Sequence, residues 1–216
     1  MRGFCVFNFF FMANGIPKTN TFYAKDRKAW RKWLEKNHTS STGVWLIYFK
    51  KGSGKTRVDY SDAVEEALCF GWIDSTLNPI DEDSYMQLFT PRKPKSGWSK
   101  LNKERVEKLV EQGLMTTAGL EKVDMAKESG TWNKIDHIES FAVPALLEKA
   151  FAKNKKAKTF FDTLSKTNKK YILYYISNVK SEEAKQKRVT EIIAAANENK
   201  MHERFIRPAK PKKKAE

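Results

Sequence analysis

The sequence predicts an α+β fold: a small antiparallel-rich sheet with packed helices, followed by a C-terminal all-helical basic domain. Three observations predict it. Between residues 43 and 90, three runs rich in β-branched and aromatic residues (GVWLIYFKK, WIDSTL and SYMQLFT) are separated by a helical pattern and by turns. After residue 130 every periodic stretch has helical spacing. The charge shifts at the same place: residues 1–130 hold 21 Lys/Arg against 16 Asp/Glu, and residues 131–216 hold 20 against 10. A chain of 216 residues, 40% hydrophobic and 12% aromatic, can bury a core of this kind in one large domain or two small ones.

The elements follow in order. KDRKAWRKWLEKN (25–37) sets Trp30, Trp33, Leu34 and Asn37 at helical spacing with charge opposite, an amphipathic helix with two inward tryptophans. GVWLIYFKK (43–51) reads as a buried strand and GSGK (52–55) as a turn, since the spacing of a phosphate-binding loop is missing. From Asp59 or Ser61 a helix runs to Gly71, with Ala63, Val64, Ala67 and Leu68 inward. WIDSTL (72–77) and SYMQLFT (84–90) form a hairpin around NPIDED. Ser99 caps a helix to about Gln112 with Val106, Leu109 and Val110 inward, and Thr116 or Thr117 opens another that closes at Gly130.

Domain boundaries follow from these elements. Residues 1–19 form an extension, 20–130 the α+β domain, 131–142 a linker, 143–203 the helical domain and 204–216 a disordered basic tail. MRGFCVFNFFFMANG is expected to be an over-called start with Met12 as the true one; a signal or anchor and a strand are the alternatives. The run is too short to span a bilayer as a helix, and no other segment is apolar for long enough. A cytoplasmic location follows, with the periplasm or envelope as the alternative if residues 1–12 are a signal.

Composition directs attention to anionic partners. A net charge of +15 and a pI near 9.7 suit nucleic acid, a phosphate-bearing small molecule or anionic lipid. Two cysteines, Cys5 and Cys69, supply neither a disulfide framework nor metal-ligand spacing. His38, His137 and His202 are scattered, the acids Asp81, Glu82 and Asp83 read as a solvated turn, and no nucleophile elbow or dinucleotide fingerprint is present. Neither a cofactor nor a metal is expected, and catalysis is the weak hypothesis.

FTPRKPKSGWSKLN (89–102) is the stretch that stands out, with four cations, two prolines and no acid. If the hairpin forms, Trp72, Asp74, Arg92, Lys95, Ser96, Trp98, Ser99 and Asn102 gather at one end of it. Arg92 and Lys95 would supply charge, the helix N-terminus at Ser99 free N–H groups, and the two indoles a stacking surface for a base or sugar. The competing reading makes the same residues architecture: Asp74 pairs with Arg92, Ser99 caps its helix and Trp98 plugs the core edge. A third reading places nucleic acid on the helical half, where Phe160, Phe161, Tyr171 and Tyr175 would stack unpaired bases, although these positions also have core spacing.

The words WLEKNH (33–38), GVWLIYFKKGSGK, ALCFGWIDS, FTPRKPKSGWSKLNKERV and GLMTTAGL resemble the YdeI/OmpD-associated family, often labelled bacteriocin-protection proteins. VPALLEKAFAKNKKAKTFFDTLS through KRVTEII resembles that family's C-terminal domain, and the likeness covers roughly residues 20 to 200. The extension before Met12 departs from the pattern. The resemblance implies a non-enzymatic role in stress or antimicrobial-peptide tolerance and an envelope protein as a partner. It brings no defined activity and no catalytic residue.

Overall fold

The computed structural model describes residues 16–205, and the expectations for the start at Met12, for a signal or strand before it, and for residues 206–216 of the tail lie outside the described residues. The described residues divide into two compact units, with the boundary between Lys134 and Ile135.

The first unit is built on a mixed sheet of β1 (Thr21–Tyr23), β2 (Val44–Phe49), β3 (Trp72–Pro79) and β4 (Ser84–Pro91), in the order β1-β2-β4-β3. β1 pairs with β2 in parallel and the other pairings are antiparallel. β1 is the strand that sequence reading missed, because three residues are too few to show an alternation. Between β1 and β2 lies α1 (Arg27–Asn37), and between β2 and β3 lies α2 (Tyr60–Cys69). α3 (Lys100–Glu111) and α4 (Thr117–Glu128) follow the hairpin.

Alternation along β2 decides which face meets the helices. Val44, Leu46 and Tyr48 join Trp30 and Leu34 of α1, Ala63, Val64, Ala67 and Leu68 of α2, and Phe89 in the main core. Trp45, Met86 and Leu88 form a smaller cluster with Ile16. Asp26 caps α1 by accepting from the Ala29 N–H at 2.7 Å. Trp30 is fully buried while Trp33 is half-buried against the same core, and on α3 Val106 and Leu109 face inward but Val110 is 49% exposed. Val110 follows Leu109 directly, so one helical step of about 100° carries it out of the narrow stripe α3 buries.

A salt-bridge clamp joins α1 to α2. Glu66, 2% exposed, accepts from Arg27 Nε at 2.6 Å and Arg31 Nη1 at 2.8 Å, while Arg27 Nη1 also reaches Asp62 and Glu65. Burial works against the Arg27 charge, but the Glu66 bond and charge outweigh it and hold the guanidinium above its ordinary range.

Two glycines bring α4 onto the end of α2. Gly71, at φ +71°, leaves the helix in the left-handed region, and a Cβ there would lie 2.9 Å from the Ala118 carbonyl oxygen. A Cβ on Gly119 would lie 2.2 Å from the Cys69 carbonyl oxygen, which already accepts from Thr116 Oγ1 at 2.6 Å.

The second unit is helical: α5 (Asp136–Glu139), α6 (Ala145–Lys153), α7 (Lys155–Thr163), α8 (Lys166–Ser177) and α9 (Glu182–Asn197). Its core holds Ile138, Leu147, Phe151, Phe161, Ile172, Leu173, Ile176, Val189 and Ile192. Within the stretch 131–142, Ile138 is therefore a core residue, and Phe205 at the far end packs against Tyr175 with ring centroids 5.5 Å apart. No helix of the described residues is long and apolar enough to cross a membrane.

Candidate functional site

The hairpin register sets the geometry. Trp72 pairs with Pro91 and Asp74 with Phe89, so the start of β3 lies beside the end of β4 and Arg92 emerges next to Gly71, whose carbonyl accepts the Arg92 N–H at 2.9 Å. Between Asp74 and Leu77 the register slips, with Ser75 and Thr76 both opposite Leu88, a bulge that re-aims the strand.

The two indoles are not free to stack a ligand. Trp72 is 1% exposed, donates through Nε1 to the His38 carbonyl at 3.2 Å and meets Trp33 edge-on at 5.8 Å. Trp98 is 2% exposed and lies between Arg92 and Trp132, whose ring is 4.9 Å away. The sequence left two readings of Trp98 open, a stacking surface or a plug at the core edge, because residue type alone does not fix burial.

Ser99 accepts from the Asn102 N–H at 3.3 Å, so its hydroxyl caps α3. Asn102 in turn accepts from Arg105 Nη1 at 3.1 Å through its side-chain oxygen. Lys95 is exposed, with its carbonyl accepting from Lys134 Nζ at 2.9 Å, and the half-buried Ser96 donates its N–H to the Lys93 carbonyl at 3.0 Å. The loop thus brings Arg92, Trp98 and Ser99 together and leaves Lys95 at the surface.

Asp74 does not pair with Arg92. Its Oδ2 accepts from the Tyr60 hydroxyl at 2.8 Å and from Gln87 Nε2 at 2.9 Å. Burial and then the bond to Asp74 push the Tyr60 phenol up to about 12. Arg92, 5% exposed, donates from Nη2 to the Gly97 carbonyl at 2.8 Å and holds its guanidinium carbon 3.6 Å from the centre of the Trp98 ring. It makes no ion pair among the described residues. Burial pulls it down to about 10, with the Asp74 charge pulling the other way. A guanidinium has five donor hydrogens, and among the described residues its partners here are the Gly97 carbonyl and the Trp98 ring face.

Sequence reading missed Tyr48, Tyr60, Gln87, Arg57 and Arg105. Tyr48 is fully buried on the helix-packed face, stacked on Tyr85 at 5.1 Å, and its hydroxyl has no hydrogen-bond partner among the described residues. Burial, then the neighbours Tyr85, Asp74 and Tyr60, push its phenol well above its ordinary range, with Arg57 opposing. The Arg57 guanidinium sits 5.8 Å from the Tyr48 ring centre. Arg105 Nη2 reaches Ser61 Oγ at 3.2 Å. For Tyr48 on β2 and Gln87 on β4 the period-two alternation was the available signal, but it marks core positions equally well, and Tyr60, Arg57 and Arg105 lie outside the strands. Among the described residues no group of His, Cys, Asp and Glu could hold a metal ion, and Cys69 is a buried free thiol that burial pushes up to about 11.

Residues 22–122 match a domain of unknown function (DUF8412), and residues 140–199 match the family described as bacteriocin-protection, YdeI or OmpD-associated. Neither a curated protein nor a solved structure matches the chain. The second match spans α6 to α9, the helical elements that fill the second core. That helical segment, residues 140–199, carries the likeness to the bacteriocin-protection, YdeI or OmpD-associated family.

Proposed function

We propose that this protein is a cytoplasmic, non-enzymatic accessory of bacteriocin and antimicrobial-peptide tolerance that works by recognising an anionic ligand in its N-terminal unit. The observation that carries the reading is Arg92: a guanidinium 5% exposed, with no carboxylate paired to it among the described residues. Buried charges are ordinarily paired, because an unpaired one bears the full desolvation cost. A bound anion is the missing half of such a pair, and a guanidinium fork suits phosphate or carboxylate. Net charge supports an indirect route to tolerance. At +15 the chain repels cationic peptides and attracts anions.

The test joins binding to phenotype. Cells lacking the protein should regain peptide tolerance from the wild-type gene and not from Arg92→Lys, which keeps the charge but loses the fork. The purified wild-type chain should gain thermal stability from millimolar inorganic phosphate, and the variant should not. Equal rescue by both genes, with equal phosphate response, would overturn the reading.

A second reading has one observation in its favour. Tyr171 and Tyr174, both 49% exposed, stand on α8, which also carries Lys166, Lys169 and Lys170. That is the composition of a single-strand nucleic-acid surface. It predicts steeply salt-dependent binding of single-stranded RNA that Tyr174→Ala weakens and Arg92→Lys leaves intact.

A further inference from the structure

Three arginines of the first unit find no carboxylate partner among the described residues, although the same unit has acids to spare. Arg27 and Arg31 take up Asp62, Glu65 and Glu66. Arg57, Arg92 and Arg105 make no ion pair among the described residues. Arg105 Nη2 bonds Ser61, the neighbour of Tyr60, Arg57 lies 5.8 Å from the Tyr48 ring centre, and Arg92 follows Pro91, which pairs with Trp72 two residues before Asp74 on β3. The acid at the centre, Asp74, spends both its hydrogen bonds on Oδ2, so Oδ1 remains as an acceptor. The Tyr48 hydroxyl is a buried donor with no acceptor among the described residues. A buried hydroxyl left unmet bears its full desolvation cost, so such a group calls for an explanation. Asp59, at the start of α2, is exposed and forms no cap bond through its side chain.

We propose that the Asp74–Tyr60 pair, with Tyr48 beneath it and Arg57, Arg92 and Arg105 around it, binds a small phosphate monoester of a polyol. The proposal rests on the anion-recognition reading above and says where the anion sits and what it is attached to. The guanidiniums take the phosphate oxygens, as planar forks do. Asp74 Oδ1 accepts from a ligand hydroxyl, a task no cation can perform, and this separates a sugar or polyol phosphate from a bare anion. Tyr60, 44% exposed, forms the outer wall. Arg57, held against the Tyr48 ring and by no hydrogen bond among the described residues, is the movable wall that gives access to the Tyr48 hydroxyl.

The test titrates the full chain with inorganic phosphate and with ribose 5-phosphate by calorimetry at low salt. Ribose 5-phosphate should bind roughly tenfold tighter or better than inorganic phosphate, which corresponds to one well-made additional polar contact. Asp74→Asn should erase that advantage without weakening inorganic phosphate. Arg105→Gln, at a half-exposed position where folding is not at stake, should weaken both probes by roughly tenfold. If ribose 5-phosphate holds no advantage, or Arg105→Gln changes nothing, while Arg92→Lys abolishes phosphate binding, the site proposed here is wrong and anion recognition by Arg92 stands. If neither probe binds the wild-type chain, both fall.

Discussion

Arg92 and Trp98 sit in one loop and touch one another, yet their burial assigns them opposite consequences. Trp98 is 2% exposed with an aromatic neighbour on one side and a guanidinium on the other. Trp98→Ala should cost ~3–5 kcal/mol by leaving a cavity the size of an indole. Arg92→Met keeps the length of the side chain and removes an unpaired buried charge. It should be neutral to within ~1 kcal/mol or stabilising, since apolar replacements of buried charges commonly are. Chemical denaturation of the two variants reads both values directly. A loss of several kcal/mol in Arg92→Met would mean that the Gly97 bond and the ring contact make the arginine a structural strut, and the case for a ligand on it would go.

Among the elements, the joint between α2 and α4 is where a single methyl group decides the packing. Gly119 lets the first turn of α4 approach the Cys69 carbonyl, and the Thr116 hydroxyl and N–H both bond to that oxygen, at 2.6 and 3.1 Å. The obstacle to a larger residue is backbone, which cannot rotate aside. Gly119→Ala should therefore cost about 3 kcal/mol or more, beyond the usual gain of alanine inside a helix. The control is Gly113→Ala, also at a helix end, where no atom lies within 4 Å of the added carbon and only the φ of +67° is strained. Thermal midpoints that fall equally in the two variants would show that conformation, and not contact, governs Gly119.

For the whole molecule, two hydrophobic cores share no residue: one between the sheet and α1 to α4, the other within α5 to α9. A unit with its own core folds on its own. Residues 135–205 expressed alone should give the far-ultraviolet signature of a helical protein and a cooperative thermal transition, and residues 16–134 should give a mixed one. A helical fragment that melts without cooperativity would show that its core is incomplete without the rest of the chain. Charge is uneven between the halves, and the residues beyond 130 hold two Lys/Arg for each Asp/Glu. Long-range attraction of anions is thus greatest at the helical unit, whereas the buried guanidinium is in the other.

Much of the architecture was legible in the sequence because it rests on local rules. Caps at Ser99 and Thr116, helical spacing in α1 and α2, and aromatic runs for β2 and β4 are each written in adjacent residues. The α+β class follows from those elements alone. β1 escaped because a three-residue parallel edge strand is specified by its neighbour β2 and hardly at all by its own side chains. The candidate site was legible only in part. Asp74, Arg92 and the Ser99 cap lie within a few residues of one hairpin, so their proximity could be inferred from the chain. Tyr48, Tyr60, Arg57 and Arg105 come from β2, from α2, from the segment before it and from α3, and only the tertiary structure brings Tyr60 to Asp74, Arg105 to Ser61 and Arg57 to Tyr48. Burial was decided there as well. The sequence alone determined which residues could carry charge or stack, and packing determined that Trp72 and Trp98 are core while Arg92 is a buried cation, because burial depends on what folds over a residue and not on the residue itself.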